Sequence, residues 1–596
     1  MAGAAIVALI GPAATSPALA EAPAVQQAEA PRSMTVARLK PRIELPKVLS
    51  DADVELYRKI FDAQELARWA EADKLTAQVQ NKVLLGHVQS HRYLHYAYTA
   101  KFAELKNWLD KYADLPAAER IYAMALKKRP RGAAAPRAPV GTLSHREFWE
   151  VQPGPVLPQP ALNAQQQRLA AALQREFDLL IKRERLDAAA KVLERKTADA
   201  LLGPARLDNN KLTLAARYFY AGRSDKALEW GQPAAKRSGA LLAEAHWIAG
   251  LAAWHQKKYD DAVAHFTAVA EANNESDWMV SAGGFWAARA LIAAGRPKDA
   301  NKWLELAAKF QRTFYGMLAR HTLGIRHEFN WTVPSANPQH LAQLRATPGG
   351  ERGFALAQIG VTRWAEEELA RLYIYGHEDK TNSFVAIADS GDMPGLAYRI
   401  GQRLIYKRNH VVDVSLYPLP HWEPRDGYTL DRAVIFAVMR QESAFMTDAR
   451  STAGARGLMQ LMPGTASFIA GDRLLRQAQT DRLYDPLFNV ELGQKFLRFL
   501  LEQPGIGGNL LYAFAAYNAG EGSLNKWVYR EDPLLFLEGI AFRETRIYTR
   551  RVMYNEWVYR IRLGQPTYTL DALANGKQPI YRQFDTDIKV PFNARN

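Results

Sequence analysis

The stretch AVIFAVMRQESAFMTDARSTAGARGLMQLMP, residues 433–463, joins an apolar helical pattern to a carboxylate and then to a turn that contains glycine. Spacings of three and four residues place Ile435, Val438, Met439 and Glu442 on one helical face. Glu442 therefore ends an apolar stripe, at a position where a solvated residue is expected. A carboxyl group in apolar surroundings favours its neutral form, which predicts a raised pKa and a proton donor near neutral pH.

The flanking residues predict where this helix begins and where the next one lies. Thr429 is predicted to cap the helix, with Asp431 in its first turn. Pro463 is predicted to open a short helix that ends near Gly471. The alternative for Glu442 is a solvated glutamate near a helix end, which is the common role of this residue type. The apolar helix behind it and the glycines in front of it argue against that alternative.

Four short motifs follow one another in the last third of the chain. They are RQES at residues 440–443, GLMQLMP at 457–463, AYNAG at 516–520 and ETRIY at 544–548. In content and order these motifs resemble those of the soluble lytic transglycosylases, which are periplasmic enzymes that cleave the glycan of peptidoglycan. Four ordered motifs within about a hundred residues are much more specific than any single one.

The resemblance implies a reaction that needs one acid. The β-1,4 bond between N-acetylmuramic acid and N-acetylglucosamine would be cleaved, with the 6-hydroxyl of the muramic acid as nucleophile and a 1,6-anhydro sugar as product. Glu442 would protonate the departing oxygen and then act as base on the 6-hydroxyl. The 2-acetamido group can stabilise the cation-like centre, and the intramolecular attack gains a high effective molarity.

The resemblance also implies roles for residues around the sugar. Ser443 and Gln460 match polar positions that can hold acetamido and hydroxyl groups, and Met459 matches an apolar wall beside them. Tyr517 and Asn518 would converge on the same cleft from the end of a helix, with the Tyr517 hydroxyl within reach of the acid or the sugar.

Two of these motifs have a structural alternative. The segment Asn518–Gly520 is also a good helix stop. Glu544 and Tyr548 lie four residues apart on one helical face, and the family places this glutamate near the cleft. For Glu544 the alternative is a structural ion pair with Arg543 or Arg546.

No second acid stands out, although ordinary glycosidases pair two carboxylates. Asp448 lies in a polar turn beside Arg450 and is predicted to be a turn residue. Asp485 precedes Pro486 and indicates a helix start, and Glu521 is predicted to be solvated. The pattern favours a mechanism with one acid. A hydrolytic muramidase with a hidden second acid, and an inactive solenoid scaffold for cell-wall proteins, remain the alternatives.

Composition limits the class of protein and its partners. The chain has 596 residues, of which 48% are hydrophobic and 23% charged, as in a soluble protein of several domains. A net charge of +15 predicts an acidic partner, and no groove-reading motif points to nucleic acid. Glycan strands of peptidoglycan, and other cell-wall enzymes, are the expected partners. No apolar run is long enough to span a membrane, and no motif indicates a metal or cofactor.

The beginning of the chain is predicted to direct export. Residues 1–20 have an apolar core followed by the small-x-small site Ala18-Leu19-Ala20, as in a signal peptide, although no Lys or Arg precedes that core. Residues 21–47 are rich in Ala and Pro and are predicted to be a flexible leader. The sequence has no cysteine, which excludes a lipid-modified cysteine and disulfides. A soluble periplasmic protein that is not a lipoprotein is expected.

A repeated pattern of helices occupies residues 165–310. Ala221–Arg223 recurs as Ala294–Arg296, and Gly250, Ala262 and Phe266 have the spacing of a tetratricopeptide-like helix pair. Such pairs must stack to bury both faces, so a solenoid is predicted. The five tryptophans of this region are predicted to pack between helices rather than to stack on sugars: Trp247, Trp254, Trp278, Trp286 and Trp303.

The predicted fold is mostly α-helical. Residues 48–330 are predicted to form a helical superhelix, 331–424 a helical linker domain, 425–565 a lysozyme-like α+β catalytic domain and 566–596 a C-terminal extension. In the family the superhelix closes into a ring, which would confine the glycan and favour cleavage from strand ends.

Overall fold

The computed structural model describes residues 43–141, 157–272 and 275–588. The predicted signal peptide, most of the predicted leader and the end of the C-terminal extension lie outside these ranges. Within them the chain is helical and has no β-strand, which confirms the mostly α-helical fold. The β component of the predicted catalytic domain consists of isolated bridges, between Arg450 and Arg456 and between Arg456 and Leu461.

Five helices form the N-terminal part of the described chain. They are α1 (Asp51–Glu65), α2 (Trp69–Thr76), α3 (Leu85–Leu94), α4 (Phe102–Tyr112) and α5 (Ala118–Lys128). The Ser50 hydroxyl caps α1 by accepting a hydrogen bond from the Asp53 amide at 3.1 Å.

Ten helices follow, most of them joined by turns of a few residues. They are α6 (Ala164–Lys182), α7 (Leu186–Leu193), α8 (Ala198–Leu202), α9 (Pro204–Tyr220), α10 (Ser224–Ser238), α11 (Ala243–His255), α12 (Tyr259–Ala270), α13 (Asp277–Ala293), α14 (Pro297–Ala308) and α15 (Phe314–Thr322). The repeated turns are left-handed at Gly222 and Gly295, with φ of 78° and 76°. Gly250 lies against the Phe266 ring, since a β-carbon at Gly250 would be 2.7 Å from it. Trp247, Trp286 and Trp303 are buried between these helices.

The next six helices follow, and several of them share a hydrophobic core with α1–α3. They are α16 (Pro338–Arg345), α17 (Pro348–Gln358), α18 (Thr362–Ile374), α19 (Thr381–Ser390), α20 (Pro394–Arg408) and α21 (Asp413–Leu416). Buried side chains of residues 49–88 and 344–414 form one cluster. Within this interface the buried His87 Nε2 lies 2.9 Å from the Glu368 carboxylate. Helices α1–α3 and the region predicted as a linker therefore pack as one unit, whereas α4 and α5 have a separate small core.

The remaining helices surround α22, which contains the stretch quoted first. They are α22 (Arg432–Ser443), α23 (Pro463–Ala470), α24 (Pro486–Glu502), α25 (Leu510–Ala519), α26 (Glu521–Leu524), α27 (Pro533–Gly539), α28 (Arg543–Arg562) and α29 (Tyr568–Ala574). Residues 433–439 of α22 are buried, and the helix packs against α28. As predicted, α23 opens at Pro463 and ends before Gly471, which has a φ of 67°.

The predicted cap of α22 is wrong. The helix begins at Arg432, so Asp431 and not Thr429 occupies the cap position, and no side chain caps the first turn. The buried Asp431 carboxylate accepts hydrogen bonds from Arg560 at 3.0 Å and from the amides of Phe584 and Asp585 at 2.9 and 2.8 Å. Local sequence preference gave the wrong cap residue because tertiary contacts fix the Asp431 carboxylate. These contacts to the amides of Phe584 and Asp585 anchor the C-terminal extension to α22.

The helices around α22 are docked on the preceding helices α6–α21, the helical array, through buried and partly buried polar contacts. Asp532, just before α27, accepts a hydrogen bond from Arg289 of α13 at 2.9 Å. Glu538 at the end of α27 accepts one from the Tyr315 hydroxyl of α15 at 2.6 Å. Apolar side chains from both sides of this interface belong to a single buried cluster.

Candidate active site

Glu442 lies in the last turn of α22 and is half-buried. Burial raises the pKa of Glu442 to about 7; the Tyr548 side chain lowers this pKa, and the Glu544 carboxylate raises it. Within the described ranges, no basic side chain contributes to the shift or forms an ion pair with Glu442. The side chain is therefore an acid that stays substantially protonated at neutral pH, because burial penalises its charged form and no basic side chain offsets that penalty.

The loop after Glu442 has several residues in the left-handed region of backbone space. Ala444, Phe445 and Gln460 have φ of 52°, 64° and 46°. Gly457 has a φ of 76°, and a β-carbon there would lie 2.2 Å from the Leu483 carbonyl oxygen. Strained backbone of this kind concentrates at functional sites and persists where the surroundings enforce it.

Gln460 keeps this loop closed from within. Its side-chain nitrogen donates hydrogen bonds to the carbonyls of Ala449 at 3.0 Å and Gly457 at 2.8 Å. Its amide oxygen is not used in these bonds. A contact between Gln460 and a sugar would therefore use that oxygen, and this contact stays a prediction.

Met459 is fixed in the loop by hydrogen bonds of its backbone and by its buried side chain. The side chain is buried and packs against Gly493 of α24. Its amide donates to Asn489 Oδ1 at 2.8 Å, and its carbonyl accepts from the Tyr517 hydroxyl at 2.7 Å. The side chain faces α24, and its predicted role as an apolar wall of the sugar site stays a prediction.

Ser443 is buried next to Glu442. Its hydroxyl donates to the Met439 carbonyl of the same helix at 3.1 Å. The hydroxyl is thus engaged within α22, and its predicted contact with substrate stays a prediction.

The AYNAG motif forms the last turn of α25. Burial raises the pKa of Tyr517 well above its usual value, and the nearby Glu442 carboxylate raises it further. Asn518 accepts a hydrogen bond from the Thr545 hydroxyl at 2.6 Å and so joins α25 to the first turn of α28. Gly520 ends the helix with a φ of 82°. The helix stop expected of this motif is present, and the predicted contacts of Tyr517 and Asn518 with a sugar stay predictions.

Glu544 and Tyr548 occupy the first two turns of α28. Glu544 is exposed, and among the described residues it has no ion pair. Arg546 instead donates to the Ile540 carbonyl and lies over the Tyr220 ring at 5.0 Å, so the alternative of an ion pair between Glu544 and Arg546 is not observed.

Tyr548 is buried and close to Glu442. Burial raises the pKa of Tyr548 well above its usual value, and the Glu442 carboxylate adds to this. In the described part of the chain the hydroxyl lacks a hydrogen bond of regular geometry. A small movement of either side chain would allow the hydroxyl to donate to Glu442 once that carboxyl is ionised.

The other acids considered from the sequence form an ion pair, cap a helix or are exposed to solvent. Asp448 forms an ion pair with Arg363 of α18 at 2.7 Å. Asp485 caps α24 by accepting from the Phe488 amide at 2.7 Å. Glu521 is exposed at the start of α26. No group of three or more His, Asp and Glu side chains suited to a metal ion occurs within the described ranges.

Sequence reasoning missed Arg440, which lies two residues before Glu442. The buried guanidinium donates to the carbonyl of Leu416 and to Asn555 Oδ1, each at 2.7 Å. It also lies between the rings of Tyr417 and Tyr398, at 4.2 and 5.0 Å. An arginine inside an otherwise apolar helix was the available signal, since a buried guanidinium needs several partners.

Comparison with known protein families identifies the domain that contains most of these residues. Residues 422–534 match the family model of the Transglycosylase SLT domain. The chain carries a transglycosylase SLT domain. Glu442, Met459, Gln460 and Tyr517 lie inside the matched residues, whereas Tyr548 lies beyond them in α28.

Relatives of the SLT domain are lytic murein transglycosylases. The soluble lytic murein transglycosylase of Escherichia coli (strain K12) is 28% identical over 320 residues, which are 52% of this chain and 47% of the relative. Membrane-bound lytic murein transglycosylase C of Haemophilus influenzae (strain PittGG) is 36% identical over 141 residues, which are 22% of this chain and 36% of the relative. The chain thus spans about half the length of the Escherichia coli relative it matches.

The fold resembles a solved structure over most of the chain. The 70-kDa soluble lytic transglycosylase in complex with bulgecin A aligns with a TM-score of 0.51 at 18% identity, covering 88% of this chain and 98% of that one. Among the described residues, no helix is both long and apolar enough to cross a bilayer.

Proposed function

We propose that this protein is a lytic transglycosylase that cleaves the β-1,4 bond between N-acetylmuramic acid and N-acetylglucosamine in peptidoglycan and leaves 1,6-anhydro ends. The observation that carries the proposal is Glu442, a half-buried acid with a pKa raised to about 7 and no basic neighbour in the described chain. The SLT domain and the lytic murein transglycosylase relatives support the same substrate class.

One carboxyl group can carry the whole reaction. Protonated Glu442 donates its proton to the bridging oxygen as the bond from that oxygen to the anomeric carbon breaks. The muramic acid 6-hydroxyl then bonds to the anomeric carbon, and its proton returns to the Glu442 carboxylate. No water is consumed and the acid is regenerated. A pKa near the working pH suits a group that must donate and then accept a proton.

The surrounding residues are assigned positioning roles in this proposal. Tyr517, tied to the Met459 carbonyl, holds the loop of Gln460 beside the acid. Tyr548 steadies Glu442 during the step in which that carboxyl is ionised. Ser443, Asn518 and Glu544 remain proposed contacts to the sugar or its peptide.

A hydrolytic muramidase is the nearest alternative. It needs a second carboxylate across the cleft, at a separation of about 5 Å or of roughly 6.5–9.5 Å. Asp448, the nearest acid in the loop after α22, is paired with Arg363 and is not available for that role without breaking the ion pair. The exposed Glu544 carboxylate, which raises the pKa of Glu442, is the other acid open to a muramidase, and analysis of the products distinguishes the two reactions.

Mass spectrometry of the products tests the proposal. Purified protein incubated with peptidoglycan is expected to release anhydro-ended fragments, which are lighter by one water than the fragments of a hydrolase. Glu442→Gln is expected to abolish release while retaining binding. Glu502→Gln removes an exposed carboxylate at the end of α24 and is the matched control. Reducing ends from the wild type would indicate a muramidase, and unchanged behaviour of Glu442→Gln would indicate a scaffold.

We also propose that cleavage proceeds from strand ends and in the periplasm, on glycan strands and in contact with other cell-wall enzymes. The packing of residues 49–88 on 344–414 supports this mode, because it brings the two ends of the helical array together as a ring requires. Products from uncrosslinked strands are expected to be short from the first time point. Early release of long internal fragments contradicts the proposal.

A further inference from the structure

The hairpin of helices α4 and α5 ends in a cluster of basic side chains. We call this cluster the basic tip. Its five exposed residues are Lys101, Lys127, Lys128, Arg129 and Arg131. The Lys128 ammonium donates a hydrogen bond to the Ala100 carbonyl at 2.7 Å, so the last turn of α5 lies beside the start of α4. The cations of both helices therefore occupy the same end of the hairpin.

Within the described ranges, no acid forms an ion pair with the basic tip. The Arg129 guanidinium donates to a backbone carbonyl at 2.7 Å. Glu104, an acid near this end of α4, accepts hydrogen bonds from the Lys101 amide and the Tyr98 hydroxyl, each at 2.7 Å. Residues 99–141 hold nine basic and four acidic side chains, which gives a net charge of +5. The basic tip therefore presents an excess of positive charge to solvent.

The helix dipoles account for only part of this cluster. Lys127 and Lys128 lie in the last turn of α5, where a cation offsets the negative end of the dipole. Lys101 occupies the cap position of α4, at the positive end of that helix, where a cation is unfavourable. Arg129 and Arg131 lie beyond the end of α5. Three of the five cations thus have no stabilising role towards either dipole.

Two large exposed side chains with apolar surface lie beside the basic tip. Leu126 directly precedes Lys127 and is 44% exposed, and Tyr96, four residues before Ala100, is 88% exposed. A soluble polyanion gains from the cations alone, whereas a lipid surface also takes up apolar side chains and tyrosine rings at the depth of its headgroups. The combination therefore favours a membrane surface over a soluble polymer.

The opposite end of the hairpin is attached to the rest of the protein. Asp114, in the turn between α4 and α5, pairs with Arg352 of α17 at 2.8 Å. Helix α4 has 11 residues and so separates this turn from the basic tip by about 16 Å. The hairpin also has a small hydrophobic core of its own. Contact at the basic tip therefore leaves this attachment undisturbed.

We propose that the basic tip binds an anionic phospholipid surface and so holds the protein at the face of a membrane. Each Lys or Arg near such a surface strengthens binding about fivefold, and the attraction acts over about 10 Å at 0.1 M salt. The mode is peripheral, because side chains reach the headgroups and no helix enters the bilayer. This binding is independent of the proposed cleavage reaction, which uses another part of the chain.

Vesicle sedimentation with the full chain tests the proposal. The wild type is expected to bind vesicles of phosphatidylcholine mixed with phosphatidylglycerol, and to bind pure phosphatidylcholine much more weakly. Raising the salt from about 0.1 M to about 1 M should abolish this difference. The triple variant Lys127→Gln, Arg129→Gln, Arg131→Gln is expected to lower the partition coefficient for the anionic vesicles about a hundredfold.

The matched control removes three exposed cations from α6 and α7. It combines Arg168→Gln, Arg175→Gln and Lys191→Gln, which lower the net charge by the same amount. This control is expected to bind anionic vesicles as the wild type does. Equal binding of the two triple variants overturns the proposal, because the basic tip would then have no special role. Thermal unfolding of both variants checks that the fold is retained.

A further pair of variants distinguishes a lipid surface from a soluble polyanion. Leu126→Asn is expected to lower binding to anionic vesicles about threefold to tenfold, since less apolar surface is taken up by the lipid. Leu169→Asn, at a leucine of α6 that is 52% exposed, should have no effect. An unchanged partition coefficient for Leu126→Asn overturns the lipid assignment. So does a wild type that leaves anionic vesicles unbound but loses affinity for uncrosslinked glycan strands in the triple variant at the basic tip.

Discussion

At the level of single residues, the proton on Glu442 is both the proposed reagent and a determinant of stability. The pKa of this carboxyl is raised to about 7, chiefly because burial disfavours its charged form. The protonated form dominates below that pH and is the one that donates to the departing oxygen. Two predictions follow from the sign of this shift.

The first concerns the pH dependence of cleavage. The kcat/KM is expected to fall as pH rises through about 7, since Glu442 then loses its proton. Glu544→Gln removes a negative charge that raises this pKa, so the alkaline limb should move to lower pH by about 0.2–0.5 units, given solvent screening. A pH profile at low substrate concentration measures it. With Glu502→Gln the limb should stay in place, and a shift to higher pH in Glu544→Gln contradicts the prediction.

The second concerns stability. The folded-state pKa of Glu442 lies above the ordinary value of 4.5, so the folded protein binds this proton more tightly than the unfolded chain does. The stability that depends on the proton is present below pH 4.5 and is lost as pH rises through about 7. Glu442→Gln is therefore expected to raise the free energy of unfolding at pH 8 by about 1–3 kcal/mol and to change it little at pH 5. Urea unfolding at the two pH values tests this. Equal effects at both pH values argue against a buried ionised carboxyl.

At the level of elements, four helices hold the loop that faces Glu442. The loop of residues 444–462 begins at the end of α22 and packs through Met459 on α24, and α25 and α28 meet through Asn518 and Thr545. The close approach of Met459 to α24 depends on Gly493, where a β-carbon would lie 2.2 Å from the Met459 sulfur and 2.9 Å from its β-carbon.

Gly493→Ala is accordingly expected to destabilise the protein by about 1–3 kcal/mol, because Met459 must move. The kcat/KM should fall as well, since the Met459 carbonyl holds the Tyr517 hydroxyl. Gly505→Ala is the control, because a β-carbon there meets no atom within 4 Å. It should change stability by less than about 0.5 kcal/mol. Unfolding curves and product release measured on both variants decide the matter. Equal behaviour of the two variants contradicts the packing argument.

At the level of the whole molecule, the SLT domain and the helical array behave as one packed body. A single cluster of buried side chains runs through both, and Glu538 of α27 accepts a hydrogen bond from Tyr315 of α15 while pairing with Arg550. Because the interface is buried and contains a paired charge, a destabilising substitution on one side should also lower the stability of the helices on the other side.

Tyr315→Phe tests this coupling. The variant removes a buried hydrogen bond to a carboxylate and is expected to lower the free energy of unfolding by about 1–3 kcal/mol. Hydrogen exchange should show reduced protection in α28 together with α15. Tyr96→Phe, at a residue that is 88% exposed, is the control and should leave both helices unchanged. A loss of protection confined to α15 contradicts a common packed body.

The sequence by itself determined the features that depend on neighbouring residues. The apolar face that ends at Glu442 and the helix that opens at Pro463 were both legible, because spacing and backbone sterics set them locally. The four motifs pointed to the lytic transglycosylases because their content and order can be read directly from the sequence.

Only the tertiary structure decided which side chains surround the acid. It pairs Asp448 with Arg363, turns the Met459 side chain towards α24 and leaves no basic residue of the described chain among the groups that shift the pKa of Glu442. These outcomes join residues tens to hundreds of positions apart, and their free energies come from burial and charge in the assembled molecule, which local spacing does not contain.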